Sequence, residues 1–293
     1  MTGGSVSSST AQTNWGTLKD HLALARISNS PTVASNVLAG AALAGGLGQP
    51  GTVLLLAVAL VLFYTAGMVL NDLFDYEHDL EKQPDRPLAA GRVSKDVALT
   101  VVVALFSVGS FLLAFTGIAT LLSGIILIGL IVLYDAWHKT NPLSPLVMAS
   151  TRVMVYVTAF LAFSLQVLAS LVIWSLLLAL YIIGLTYLAK MESRPGFARY
   201  WPALALVLPA IYAALQVNAL GLVLLLLFVS WVSFCLYLVY VKRNFGAAIG
   251  SLIAGVSLLD ALVLAVVGSA VGVALALLAF GLTLLFQRYI KGT

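Results

Sequence analysis

The sequence predicts an all-α polytopic membrane bundle of nine to ten transmembrane helices. Three observations predict it. The 293 residues are 61% hydrophobic and only 9% charged, far from the roughly 45–50% apolar and about 25% charged of soluble domains. Apolar runs of about 20 residues recur, each long enough to cross a hydrocarbon core of roughly 30 Å. Period-2 patterning is weak, which argues against a β-barrel.

Membrane helices are predicted over residues 24–47, 52–76, 95–116, 118–137, 144–166, 168–190, 200–217, 220–241, 246–267 and 270–288. The final pair could instead be one broken segment. Residues 1–16 are Ser/Thr-rich and lack a basic start and apolar core, so they read as a disordered tail before a single domain over 17–293. Cys235 is the one cysteine and excludes an intrachain disulfide.

Lysine and arginine alternate between the connections. Fourteen of the 15 basic residues fall at one end of the predicted bundle, the exception being Arg152. The positive-inside rule makes that end cytoplasmic, with both termini inside an integral, multi-pass membrane protein. The net charge of +4 therefore reports topology, not nucleic-acid binding.

Six of the 11 acids lie between Asn71 and Ser94: Asp72, Asp75, Glu77, Asp79, Glu81 and Asp85. Ionisable groups concentrated beside membrane segments mark a functional site. Asn71, Asp75 and Asp79 are spaced i, i+4, i+8, which on a helix makes one stripe of oxygen ligands. Hard oxygens with open positions suit Mg²⁺, which binds one or two carboxylates together with phosphate oxygens and water. Asp72 falls off the stripe. Pro84 and Pro87 stop the helix, and Arg86 can reach back with a guanidinium fork suited to phosphate. Metal and cations beside an apolar bundle are what ionisation of an allylic diphosphate needs.

The pattern N-D-x-x-D-x-x-x-D followed by R-P-L-A-x-G-x-V-S resembles the first aspartate-rich motif and following loop of the UbiA superfamily of intramembrane prenyltransferases. The resemblance implies a UbiA-like all-α bundle around a central cavity opening towards lipid, Mg²⁺-dependent binding of a polyprenyl diphosphate, and prenyl transfer to an aromatic or lipid acceptor soluble in the membrane. It implies metal and diphosphate ligands at Asn71, Asp75 and Asp79, and diphosphate-binding cations at Lys82 and Arg86. Tyr134 and Lys139 resemble a Tyr/Lys pair at the diphosphate mouth. Arg26, Asn29 and Asn36 resemble cavity-facing polar positions of the first helix. The pattern R-x-S-N-x-P-T-V at Arg26–Val33 is similar to a divergent branch with members in Ebo-type gene clusters, whose role concerns trafficking or processing of a metabolite or lipid precursor.

One departure stands out. The family's second aspartate-rich motif would fall near Gly184–Arg194, where Glu192 is the only acid. Tyr187, Lys190 and Glu192 are the candidate substrate contacts there. Lys190 either replaces a metal's charge against diphosphate or belongs to an ordinary basic loop. The intact first motif favours an enzyme, and the missing second motif favours a non-catalytic protein that binds or moves an isoprenoid.

Arg152 is the one intramembrane base, at an insertion cost of about 2.5–3.5 kcal/mol if unpaired. It should face the cavity as a substrate contact or snorkel towards the charged mouth, with a diphosphate, Asp135 or Asp260 as partner. Catalytic roles fall to Asp75, Asp79, Arg86 and Lys139. His78 and His138 are candidate acid/base groups.

Overall fold

The computed structural model describes residues 14–138, 141–193, 200–216 and 219–290. Among them the secondary structure is entirely helical. A short amphipathic helix, α1 (Leu18–Leu24), leads through a 3-10 turn (Ile27–Asn29) into α2 (Ser30–Leu43). Then follow α3 (Pro50–Phe74), α4 (Tyr76–Lys82), α5 (Lys95–Ala114), α6 (Ile118–Trp137) and α7 (Ser144–Leu161). The second half comprises α8 (Ala169–Ser193), α9 (Trp201–Ala214), α10 (Ala219–Tyr240), α11 (Phe245–Val266) and α12 (Ala270–Gln287).

Eight of these helices are long and apolar enough to cross a membrane. The segments predicted at 24–47 and 200–217 are shorter, because α2 and α9 have 14 residues each. At 1.5 Å per residue such a helix spans only about 21 Å. The cause in α2 is local. Pro31 is tolerated only in a first turn, and Gly45 ends the helix at φ 72°. The last pair is two separate helices, α11 and α12, packed along each other.

Large apolar side chains face outward along the spans, among them Leu54, Val103, Phe111, Leu176 and Leu222. Such a surface suits lipid as solvent. By contrast α11 is buried nearly all round, from Leu252 to Ala265. It packs against α2, α8, α10 and α12 and forms the centre of the bundle. On its other side α2 meets α7 closely. A Cβ on Gly40 would lie 2.5 Å from the carbonyl oxygen of Tyr156, so only glycine allows this approach. Asn36, one turn earlier on α2, is thereby set against Arg152, one turn earlier on α7.

Residues 14–16 depart from the predicted tail. Ser94 donates its N–H to the carbonyl of Asn14 at 2.9 Å, and the Asn14 amide donates to Gly91 at 3.0 Å. These backbone partners give the short segment an edge to dock on. The earlier part of the tail lies outside the described residues.

Candidate active-site mouth

The helix carrying the acidic stripe breaks at Asp75, yet the stripe survives. Asp75 keeps right-handed helical angles, φ −87° and ψ −2°. Its N–H bonds Asn71 at 2.9 Å and the Asp79 N–H bonds Asp75 at 2.9 Å. The three side chains therefore stay stacked across the α3–α4 junction. All three are buried.

Two arginines close over them. Arg26 sits at φ 41°, a left-handed conformation costing a non-glycine residue about 1–2 kcal/mol. Its carbonyl accepts from Tyr64 at 3.2 Å. In that pose its Nη2 donates to Asn71 Oδ1 at 3.3 Å and to Asp72 Oδ1 at 3.1 Å. Arg86 returns from the Pro84–Pro87 turn, its Nη1 donating to Asp79 at 2.7 Å and to Asp72 at 3.2 Å. Asp72, off the stripe, thus ties two guanidinium groups together.

The end of α6, where Tyr134 and His138 are expected near the mouth, adds a carboxylate whose pairing the sequence does not show. Asn71 donates to Asp135 Oδ1 at 3.1 Å. The other Asp135 oxygen is buried with no hydrogen-bond partner among the described residues. His138 Nε2 lies 3.6 Å from Asp75 Oδ2, and its ring stacks on Tyr134 with centroids 5.0 Å apart. Burial works against a charged imidazole there, but the hydrogen bond and charge of Asp75 outweigh it. His138 therefore keeps its proton to higher pH than a free histidine.

Beneath this mouth opens a cavity of about 260 Å³. Arg26, Asn29, Asn71 and Tyr134 form its polar rim, and Met68, Met148, Leu185 and Ile253 are among its apolar walls. Asn29 is fixed by Gln287 of α12 at 2.9 Å. Lower down, Arg152 donates to Thr32 at 3.1 Å and Asn36 at 3.2 Å.

The remaining expectations meet different fates. Asn36 does not face the cavity. It is fully buried, with its oxygen bound by Arg152 and its nitrogen donating to both oxygens of Asp260 at 3.0 and 2.9 Å. Asp260 therefore compensates Arg152 through Asn36, and Asp135 pairs with Asn71 instead. Lys190 donates to Ser144 at 2.8 Å, and the Tyr187 hydroxyl donates to Pro142 at 3.3 Å. Both side chains address the start of α7, while Ile182, Leu185, Thr186 and Ala189 take the cavity face of α8. Lys82 lines an outer basin with Lys19 and Arg92, which shares Arg26, Asp72 and Arg86 with the mouth. His78 is exposed. Lys139 and the side chain of Glu192 lie outside the described residues.

Residues 33–264 match the UbiA prenyltransferase family. The chain belongs to that family. Relatives include the digeranylgeranylglyceryl phosphate synthases of Methanoregula boonei, 36% identical over 127 residues, and Thermococcus kodakarensis, 37% identical over 107 residues. These matches take in 43% and 36% of this chain, and 44% and 38% of the relatives, less than half of each. A solved structure concerning digeranylgeranylglyceryl phosphate synthase in membranes aligns with TM-score 0.64 at 21% identity, over 86% of this chain and 99% of the other. The apo structure of a UbiA homologue from Aeropyrum pernix K1 aligns with TM-score 0.62 at 18% identity, over 82% and 96%. At those identities the likeness concerns the fold. The UbiA fold accounts for the bundle, and the chain is an integral multi-pass membrane protein.

Some site members carried weak sequence signals. Asp135 follows the Tyr134 singled out for the mouth, but its pairing with Asn71 spans 64 residues. Tyr64 and Gln287 lie in apolar helices and gave no pattern to read.

Proposed function

We propose that this UbiA-family protein transfers a prenyl group from a polyprenyl diphosphate to an aromatic or lipid acceptor within the membrane. The observation that carries this reading is the pairing of two guanidinium groups with an acidic stripe directly above an apolar cavity. The charged mouth faces the cytoplasm, following the distribution of lysine and arginine.

The donor set fits Mg²⁺. Asp75 and Asp79 offer carboxylate oxygens and Asn71 its amide oxygen, and Asp135 adds a buried oxygen without a hydrogen bond among the described residues. Among the described residues no group of three or more His, Cys, Asp or Glu side chains forms a complete cage. Magnesium needs none, since it takes one or two carboxylates and completes its shell with phosphate and water. When bound, it would neutralise the departing diphosphate as a Lewis acid.

The chain's own groups do the rest. Arg26 and Arg86 donate to the diphosphate oxygens as the allylic carbon–oxygen bond breaks and its electron pair leaves with the diphosphate. Lys82, on the outer basin, adds charge along the diphosphate's approach. Tyr64 and Tyr134 present aromatic faces to the allylic cation. Met68 and Met148 exclude water from it. The acceptor's nucleophile supplies the electron pair of the new bond, and its proton leaves with the diphosphate or to water.

A second reading, isoprenoid binding without transfer, draws on the end of α8, where Lys190 binds Ser144. Purified protein in lipid vesicles, Mg²⁺, labelled polyprenyl diphosphates of several lengths and a native lipid extract separate the two. A prenylated product supports transfer. Diphosphate binding with no product at any length replaces it with the binding reading.

A further inference from the structure

Arg86 reaches the mouth from a loop, yet its backbone is held on both sides. Its N–H donates to the Gln83 carbonyl at 3.0 Å, and its own carbonyl accepts from Ala90 at 2.8 Å. The peptide plane that leads into Arg86 ends in the Asp85 carbonyl, which accepts from Arg92 Nη2 at 2.8 Å. A peptide unit is rigid, so bonds at both of its edges fix the direction in which the Arg86 side chain sets out. Arg92 is held in turn by α1, its Nε donating to Asp20 Oδ1 at 2.7 Å. The second Asp20 oxygen accepts from the Thr17 N–H at 3.0 Å and from the Thr17 hydroxyl at 2.7 Å.

Exposed ion pairs contribute little, but Asp20 is buried, and its carboxylate cannot turn without opening the capping box of α1. The segment before α1 grips the same loop. Gly16, at φ 67°, lies so close to it that a Cβ there would come 3.0 Å from the Arg92 carbonyl oxygen. Leu24 of α1, Leu88 and Val93 of the loop and Val69 of α3 belong to one buried apolar cluster. Two of the three Arg92 guanidinium nitrogens are committed to Asp20 and Asp85. Arg92 borders the outer basin, but this geometry serves to hold the loop.

We infer that Asp20 and Arg92 are positioning residues for Arg86, through which α1 holds the Pro84–Pro87 turn over the acidic stripe. The inference rests on the prenyl-transfer reading and adds to it the part of the chain that sets one of its donors. Arg86 Nη1 rests on Asp79 and Asp72 and leaves them when a diphosphate arrives. With the backbone fixed beforehand, that exchange restricts side-chain freedom only. Released from Arg92, the Asp85–Arg86 peptide can rotate, and the guanidinium has to be ordered anew for each diphosphate. Among the described residues the Asp20 carboxylate bonds only Thr17 and Arg92. Its influence on the mouth therefore passes through Arg92.

The test is a double-mutant cycle on the binding of a polyprenyl thiodiphosphate, with Mg²⁺, to detergent-purified full-length protein. Asp20→Ala and Arg92→Ala are each made in the wild type and in Arg86→Ala. Each is expected to weaken binding threefold or more when Arg86 is present. In Arg86→Ala, where no guanidinium is left to position, each should weaken it less than twofold. A smaller loss beside Arg86 overturns the inference. So does a loss of twofold or more that persists in Arg86→Ala, because that marks a general structural role or a direct contact of Arg92 with the diphosphate. Arg86→Ala binding as tightly as the wild type overturns it too. If an alanine variant aggregates, Arg92→Lys is read in its place, with the same thresholds. It keeps a charge beside Asp20 and lacks the fork that also reaches Asp85. Wild-type protein that binds no thiodiphosphate refutes the prenyl-transfer reading, and the positioning roles with it. Binding that ignores Asp20 and Arg92 refutes the positioning roles alone.

Discussion

Arg86 and Asp79 meet at 2.7 Å, a guanidinium held against the last carboxylate of the acidic stripe. The contact gives Arg86 a resting position one side-chain rotation from an arriving diphosphate. Arg86→Ala should lower kcat/KM for the prenyl diphosphate about 10²–10³-fold, the usual loss for one donor to a developing charge. Arg86→Lys keeps the charge and loses the fork, so it should recover only part. Steady-state kinetics with varied diphosphate checks both.

Asp260 is the acceptor for three buried donors and the second-neighbour charge for Arg152. Asp260→Ala leaves all of them without it, and should cost about 3–5 kcal/mol of stability, as for other broken buried charge networks. Tyr156→Phe removes one hydrogen bond and should cost about 0.5–1.5 kcal/mol. Unfolding in mixed micelles measures the order, and a milder Asp260→Ala would contradict this account of the network.

Gly40 and Gly129 should respond oppositely to alanine. A Cβ on Gly40 meets the Tyr156 backbone at 2.5 Å, whereas one on Gly129 meets nothing within 4 Å. Gly40→Ala should destabilise by about 1–3 kcal/mol. Gly129→Ala, within α6, should be neutral or stabilise by about 0.4–1 kcal/mol. Thermal denaturation midpoints decide it.

The docking of α1 should fail in acid. Hydrogen bonds from Thr17, side chain and backbone, and then from Arg92 hold the Asp20 carboxyl down at about 2 against an ordinary 3.8. A depressed folded-state value favours the folded form above the unfolded pKa, and the contribution disappears as pH falls from about 4 to about 2. Pepsin cleavage near residues 83–92 should rise over that window. In Arg92→Ala the rise should begin at higher pH, because one of the interactions holding the value down is gone.

Much of this molecule was legible in its residues. The stripe Asn71, Asp75, Asp79 followed from helical spacing, and it survived a helix break because Asp75 kept helical angles. The return of Arg86 followed from two prolines. What local spacing cannot show is which distant helices meet. Asn36 looked like a cavity residue on its own helix, but α11 supplies Asp260 from 224 residues away and claims its amide. Asp135 joined the mouth for the same reason. Helix breaks were also hard to foresee at Arg26, where tertiary hydrogen bonds hold a left-handed residue that propensity disfavours.

The central claim is that the acidic stripe supports cleavage of a prenyl diphosphate. The most direct measurement is pyrophosphate release matched to prenylated product, with labelled polyprenyl diphosphate, native lipid extract and Mg²⁺, comparing wild type with Asp75→Asn. The account predicts equal amounts of both products from the wild type, abolished by chelation, and a loss of about 10²-fold or more in Asp75→Asn. Product formation by Asp75→Asn at the wild-type rate would contradict it.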